Sequence, residues 1–387
     1  MKFCWQKNIF PQGIYIHWPF CKNKCHYCDF ISFAKHDDFI NEYHQALMEE
    51  ITFFSNYLDN NIKKTVKTIF LGGGSPSLCP LESLKELVEI LNNKFDLSCL
   101  KEFTIECNPA DVTEEKLKTW RKLGINRLSL GIQVLDDEVL QNLGRTQKTQ
   151  DVLNLMTIAS KYFDNISVDL ILGLPGVNNL IWFNTLKTIA SWPVNHVSVY
   201  FLTVYEKTKL YFRVKSGEII LPSEKENIFL YKKSIDFLRK HGFEQYEISN
   251  FAKSGFRSIH NIAYWDREPY KGFGLSASSF DGKRRFINYK NLPLYVKNSS
   301  TGATFNVEDL TKEQEYLETL MLGLRQNKGV GLQHMLYLLK NSSFKNKFLE
   351  NIKFLESEGL VKTDGKNIQL TLKGMFLENE VVLNLMQ

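Results

Sequence analysis

No stretch of the 387-residue chain reaches the roughly 18–20 apolar residues that a membrane-spanning helix requires, so no transmembrane segment is expected. The opening residues, Met1-Lys2-Phe3-Cys4-Trp5-Gln6-Lys7-Asn8, hold neither an apolar core nor a small-residue cleavage site, so no export signal is read there. A cytoplasmic protein is expected. Strong charge of one sign is also missing: Lys and Arg number 48 against 43 Asp and Glu, a net of +5, and no basic run concentrates it. That removes nucleic acid as the default partner. Low-complexity tracts are absent, and 43% hydrophobic with 24% charged residues is the composition of a folded globular protein. The dinucleotide fingerprint GxGxxG after a first strand is not present. Cysteine is scarce and odd in number, and seven in a chain without an export signal argue against a disulfide framework.

What is there is alternation. Runs rich in Ile, Val, Leu, Phe or Tyr, each bounded by Gly, Pro, Asn or Asp, predict strands over 13–17, 66–71, 102–107, 127–132, 166–172 and 196–201. Amphipathic stretches between them predict helices over 38–58, 81–91, 114–123, 152–162 and 180–191. In the first, Phe39, Tyr43, Ala46, Leu47 and Glu50 share one face. Repeated strand–helix units need crossover connections and make a parallel sheet, and six of them suit an α/β barrel or partial barrel. After about residue 305 helices are expected over 311–325, 332–339 and 347–358, then a hairpin of 360–362 and 368–372 around Asp364-Gly365-Lys366. Helices followed by a hairpin resemble a winged helix. Its ten Lys or Arg against nine Asp or Glu give no basic face for DNA, so a packing or partner role is expected. The expected division is therefore 1–305 and 306–387.

In a parallel barrel, chemistry collects where strands end and βα loops begin. Five units place unusual residues there: the cysteines after the first strand, Gly72-Gly73-Gly74-Ser75-Pro76 after the second, Glu106 with Asn108-Pro109 at the third, Gln133 at the fourth and Asp169 in the fifth. Cys21, Cys25 and Cys28 form a Cx3Cx2C spacing. Iron–sulfur clusters are held by cysteine thiolates, and three of them leave one iron of a cubane without a protein ligand. Structural zinc is the alternative; it takes four closed ligands, and with no second CxxC it would need His17 or His26 as the fourth. Cys79, Cys99 and Cys107 are expected to act as small hydrophobes.

The blocks Gly13-Ile14-Tyr15-Ile16-His17-Trp18-Pro19-Phe20-Cys21, Phe70-Leu71-Gly72-Gly73-Gly74-Ser75-Pro76, Ile105-Glu106-Cys107-Asn108-Pro109 and Asn126-Arg127-Leu128-Ser129-Leu130-Gly131-Ile132-Gln133 carry a resemblance. So do Asp169-Leu170-Ile171-Leu172-Gly173-Leu174-Pro175-Gly176 and Tyr246-Glu247-Ile248-Ser249-Asn250-Phe251-Ala252. In order and spacing the chain is similar to the radical S-adenosylmethionine (SAM) proteins of the oxygen-independent coproporphyrinogen III oxidase superfamily. The resemblance implies a radical SAM partial (β/α)6-type TIM barrel with a C-terminal helical, winged-helix-like domain. It implies a [4Fe-4S] cluster on Cys21, Cys25 and Cys28, whose open iron is chelated by SAM. Reduction then cleaves the sulfonium to a 5′-deoxyadenosyl radical. The SAM contacts carried over are Tyr15, Tyr27, Gly73, Gly74, Ser75, Glu106, Gln133, Arg145 and Asp169. Ser75 stands where the family usually has Thr, which preserves the hydroxyl.

Within the superfamily, the coproporphyrinogen-oxidising branch usually carries a further cysteine two positions past the third ligand and a longer N-terminal extension. Here that position is Phe30, and 12 residues precede Gly13. His260-Asn261-Ile262-Ala263-Tyr264-Trp265 instead matches the HNxxYW motif of the HemW-type haem chaperones. A neutral imidazole can ligate haem iron, and Tyr264 and Trp265 offer aromatic faces to a porphyrin, with Asn261 beside them. His17, His196 or a cysteine are the other candidate ligands. The expected function is binding of haem as cargo and its delivery to a haem-requiring acceptor, a membrane respiratory protein, with a homodimer possible. The alternatives are conversion of coproporphyrinogen III to protoporphyrinogen IX, and radical SAM chemistry on another substrate with His260 merely structural.

Overall fold

Along six strands apolar and polar residues alternate, and that alternation decides where the core lies. The strands are β1 (Gly13–Trp18), β2 (Thr68–Gly73), β3 (Glu102–Cys107), β4 (Arg127–Gln133), β5 (Asn165–Leu172) and β6 (His196–Phe201). The computed structural model describes residues 3–59, 61–340 and 344–386. The six strands pair in sequence order, all parallel. Helices α1 (Ile40–Tyr57), α2 (Leu81–Lys94), α3 (Glu114–Lys122), α4 (Asp137–Asn142), α5 (Thr149–Ala159) and α6 (Asn179–Ala190) make the crossovers. The expected α/β partial barrel is the observed one, with strand limits shifted by a few residues at most.

Ile14, Ile16 and Trp18, Ile69 and Leu71, Phe103 and Ile105, and Leu128, Leu130 and Ile132 are buried in one continuous core with the helices. Because side chains on a strand alternate between faces, the residues between them turn inward. Register keeps them level: Tyr15 lies beside Phe70, Phe70 beside Thr104, Glu106 beside Ser129 and Ser129 beside Ser167. The barrel interior is therefore polar. Helix starts follow local chemistry, with Thr113, Asp136 and Asn178 accepting hydrogen bonds from the backbone N–H groups of Lys116, Val139 and Ile181.

On α1 the expected face is buried at Tyr43, Ala46, Leu47 and Glu50. Phe39 differs, with 41% exposure, because Asp37–Phe39 forms a 3-10 turn and the helix begins after it. Glu50 belongs to the face because it has partners. Its carboxylate pairs with Lys271 Nζ at 2.8 Å and accepts from Asn288 and Tyr295.

Past β6, helices α7 (Lys209–Lys215), α8 (Glu224–Lys240) and α9 (Ile259–Trp265) alternate with short strands that extend the sheet. These strands are β7 (Glu244–Gln245), β8 (Asn250–Ala252), β9 (Tyr270–Phe273), β10 (Ser278–Phe280), β11 (Arg284–Asn288) and β12 (Thr304–Asp309). The twelve-stranded order is β12-β11-β10-β9-β1-β2-β3-β4-β5-β6-β8-β7, an open barrel. β9 adds a seventh parallel strand beside β1. The division expected at 305/306 falls within β12, which pairs along β11.

Helices Lys312–Arg325, Leu332–Leu338 and Lys345–Ser357 and the hairpin Val361–Thr363/Asn367–Leu370 follow, as expected. A third short strand, Val330–Gly331, and helices Leu372–Phe376 and Glu378–Leu385 complete this unit. Leu320, Met335, Phe348, Leu355, Ile368 and Leu385 give it a core of its own. Arg325 pairs with Glu247 at 3.0 Å and Arg267 with Glu318 at 3.1 Å, tying it to the sheet. Among the described residues no helix is long and apolar enough to cross a membrane.

Candidate functional site

At the N-terminal end of the barrel the polar interior is closed by α9. The Glu102 carboxylate accepts hydrogen bonds from Ser258 Oγ and the backbone N–H groups of Ile259 and His260, at 3.2, 2.7 and 3.2 Å. An acid at a helix N-terminus satisfies its free donors and its dipole. Ring nitrogens of His260 lie 2.8 Å from Thr68 Oγ1 and 2.8 Å from the Tyr264 hydroxyl, and its ring stacks on Phe70 at 5.3 Å. Burial, then the positive charge of Arg127, lowers its pKa to about 3, so the imidazole is neutral. His196 bonds Ser167 and Tyr246, and His17 bonds Tyr15 and the Ile31 carbonyl. His260, His196 and His17 thus each have both ring nitrogens engaged. Trp265 lies beneath the Arg325 guanidinium at 4.8 Å, and the Asn261 backbone donates to Ser258. The structure therefore places His260, Asn261, Tyr264 and Trp265 away from the cysteines, in the barrel's closed end and against the C-terminal unit.

At the opposite end a cavity of about 530 Å³ opens, lined by Cys21, Cys25 and Cys28 together with Tyr27, Gly73, Gly74, Ser75, Glu106, Gln133, Arg145 and Asp169. The cysteine loop is held by pairing of Phe20–Cys21 with Phe33–Ala34 and by the His26 N–H on the Leu143 carbonyl at 2.9 Å. Arg145 joins loop and barrel, donating to the Tyr27 hydroxyl at 3.2 Å, Cys25 Sγ at 3.7 Å and the Gly131 carbonyl at 2.8 Å. Glycine is needed beneath this loop. A Cβ on Gly74 would stand 2.9 Å from Cys21 Sγ, and one on Gly73, at φ +115°, would stand 2.7 Å from the His17 ring.

A bulge between Gly131 and Gln133, with Gln133 at φ +69°, turns the Gln133 side chain into the cavity. Such left-handed backbone costs roughly 1–3 kcal/mol and gathers at functional sites. With its amide oriented to its neighbours, Gln133 donates to the Asp169 carbonyl at 3.1 Å and accepts from Arg145 at 3.2 Å.

Tyr15 does not line the cavity. Its hydroxyl lies 3.0 Å from His17 Nδ1, one layer below Gly73. Sequence reasoning missed Tyr200, Phe201, Tyr205 and Phe30 in the lining, although the first two end a strand at the same rim. Of the cysteines expected to be small hydrophobes, Cys79 and Cys107 are buried and Cys99 is exposed.

The electrostatics favour a ligand carrying both signs. Burial, then the charge of Asp169, raises the Glu106 carboxyl to about 7; its Oε2 accepts from the Gly73 N–H at 3.1 Å. Burial also raises Asp169, against the help of Ser198, Arg127 and Ser129. Two reluctant carboxylates welcome a cation, while Arg145 offers a charge-assisted partner to an anion. Asn108 Oδ1, also at the wall, is buried without a donor among the described residues. Burial pushes Cys21 up and Cys28 to about 11, so these thiols await a positive centre to ionise them. Three thiols over a cavity with an acidic floor and an arginine wall fit a thiolate-held cluster and a zwitterionic, cationic cofactor. Among the described residues no three His, Cys, Asp or Glu groups are arranged to hold a single metal ion.

Residues 15–189 match the radical SAM superfamily, and residues 310–377 match the HemN C-terminal domain. The chain is 36% identical to the "Heme chaperone HemW" of Bacillus subtilis, over 96% of this chain and 98% of that one. It is 35% identical to the protein of the same name from Lactococcus lactis, covering 96% of each. The fold matches the Escherichia coli radical SAM enzyme coproporphyrinogen III oxidase (HemN), with a TM-score of 0.84 over 98% of this chain and 91% of that one, at 24% identity. With more than a third of its residues shared along the full length of these relatives, this chain belongs to the HemW family of radical SAM proteins, a family for which a [4Fe-4S] cluster and SAM are implied.

Proposed function

We propose that this protein binds haem and passes it to a haem-requiring acceptor. The observation that carries the reading is the full-length similarity to proteins named heme chaperones, at 36% and 35% identity. Cys21, Cys25 and Cys28 are the cluster ligands in this reading. When bound, such a cluster supplies an iron position free for the amino and carboxylate groups of SAM and an electron for its sulfonium. Arg145 faces the carboxylate, Glu106 and Asp169 hold the cationic and hydroxyl groups, and Gln133 and Ser75 complete the polar wall. Gly73 and Gly74 let the wall close against the cysteine loop, and Tyr27 keeps Arg145 in place. Tyr15 acts from below, through His17. The protein works from the cytoplasm, and its acceptor is a membrane respiratory protein.

A second reading, oxidation of coproporphyrinogen III, draws on the fold shared with HemN. Phe30, where that branch carries a cysteine, speaks against it. The test is an anaerobic haem titration of the cluster-reconstituted chain. A saturable Soret band near one haem per chain is expected. Absence of saturable uptake, with turnover of coproporphyrinogen III in the presence of SAM and reductant, would replace this reading with the second.

A further inference from the structure

The three thiols, Arg145 and the two carboxylates account for the inner part of the cavity. Its rim is different in kind. Phe30, immediately past the cysteine loop, is 62% exposed, and across the opening Tyr205, Tyr200 and Phe201 are 45%, 39% and 37% exposed. All four line the same cavity. Single exposed aromatics are ordinary, but a group of them facing one opening marks a surface built to be covered. These residues are held from behind. The Phe30 carbonyl accepts from Lys24 Nζ at 3.0 Å and from Ser32 Oγ at 3.4 Å, and the Leu202 N–H bonds the Leu172 carbonyl at 2.8 Å. The rings stand in solvent while their backbones are fixed.

Two exposed cations, Lys22 and Lys24, belong to the same rim, with Asp29 as the acid beside them. The rim thus presents flat apolar faces with lysines at one side. That complements a planar apolar molecule with carboxylates on one edge, the chemistry of a haem and its propionates. Among the described residues no histidine lines the cavity.

Resting on the haem-binding reading above, we infer that haem docks across the mouth of this cavity. Its macrocycle lies between Phe30 and the aromatics at the end of β6, its propionates reach Lys22 and Lys24, and no imidazole of the barrel ligates its iron. Such a haem sits above the cofactor cavity and open to solvent, and an acceptor can reach it without any rearrangement of the barrel. His260 belongs to the opposite, closed end and contributes packing.

The test is a haem titration of the full, cluster-reconstituted chain, parent beside the double variant Phe30→Ala/Tyr205→Ala and beside His260→Gln. The exposed double substitution is expected to weaken haem binding by about tenfold or more, with the cluster absorbance and melting temperature unchanged. His260→Gln, which keeps hydrogen-bonding groups in the pocket it leaves, is expected to bind haem within about threefold of the parent. Should it misfold, Tyr264→Phe serves the same purpose with less disturbance and the same expected result. Parent-like haem affinity in the double variant overturns this site while the chaperone reading stands. Loss of haem in a folded His260→Gln or Tyr264→Phe protein overturns it as well and returns the site to the HNxxYW motif. No saturable haem uptake by the parent removes both.

Discussion

Thr68 Oγ1 and the Nδ1 of His260 lie 2.8 Å apart at the closed end of the barrel, linking residues 192 positions apart in the chain. From there contacts run upward. His260 stacks on Phe70 at 5.3 Å, Phe70 on Tyr15 at 6.2 Å, and Tyr15 bonds His17, whose ring lies under Gly73. Gly73 in turn donates to Glu106. The HNxxYW segment thus supports the floor of the cysteine-lined cavity from beneath.

Replacing His260 with Ala removes a buried ring and leaves Thr68 and Tyr264 without their partner. Loss of packing and of two hydrogen bonds is expected to destabilise the fold by about 2–4 kcal/mol, read from urea unfolding of the apoprotein. Unchanged stability would show that the ring carries no structural load.

If Glu106 meets the cationic part of SAM as proposed, binding depends on pH through this carboxyl. Its folded pKa, about 7, lies above the ordinary 4.5, so without ligand the folded state keeps a proton that the unfolded state releases. Stability contributed by this group is complete below about 4.5 and is lost as pH rises through about 7. A cationic ligand reverses the preference and needs the ionised form. SAM affinity, measured by calorimetry on the cluster-loaded protein, is expected to rise from pH 6 to pH 8. Glu106→Gln is expected to bind more weakly and to flatten that rise; a parent-like rise in the variant would assign it to another group.

In the proposed SAM site, Arg145→Met takes away the cation assigned to the cofactor carboxylate, and with it the donor to Tyr27 and Gly131. Hydrogen bonds to charged groups contribute about 1.5–3 kcal/mol, so SAM affinity should fall roughly 10- to 100-fold. The three cysteines remain, and cluster absorbance is expected to be retained. Parent-like SAM affinity would remove Arg145 from the site.

Lys271 and Glu50 form an ion pair with 1% and 0% side-chain exposure, joining α1 to β9. Lys271→Met alone leaves a buried carboxylate uncompensated and is expected to cost about 3–5 kcal/mol. The double variant Glu50→Gln/Lys271→Met is expected to recover much of this, because both desolvated charges leave while an amide oxygen remains to accept from Tyr295 and the Gly274 N–H. A single variant as stable as the parent would mean that solvent reaches the pair.

The sequence made the six parallel strands legible because each carries buried residues at every second position between turn-forming ends. The cavity was legible for the same reason: strand ends at one rim brought Glu106, Gln133 and Asp169 to the cysteines. Glu50 fitted the helical period of α1 without revealing Lys271, a partner 221 residues away. The strands β7–β12 escaped notice because several are two to four residues long, too short for an alternation to declare itself. His260 was the hardest to place. A buried neutral imidazole with two hydroxyl partners and one aimed at a ligand look alike in sequence; the fold shows Thr68 and Tyr264 beside this one. Phe30 was noticed for the cysteine it replaces; its place at the rim of the cavity came from the fold.

Transfer is the central claim. Its most direct measurement mixes the haem-loaded protein with a haem-free acceptor and follows the Soret band as haem changes hands. Passage of haem to the acceptor, leaving the donor haem-free, is the expected result. Haem that stays on the donor, while the same preparation converts coproporphyrinogen III with SAM and reductant, would contradict the chaperone reading.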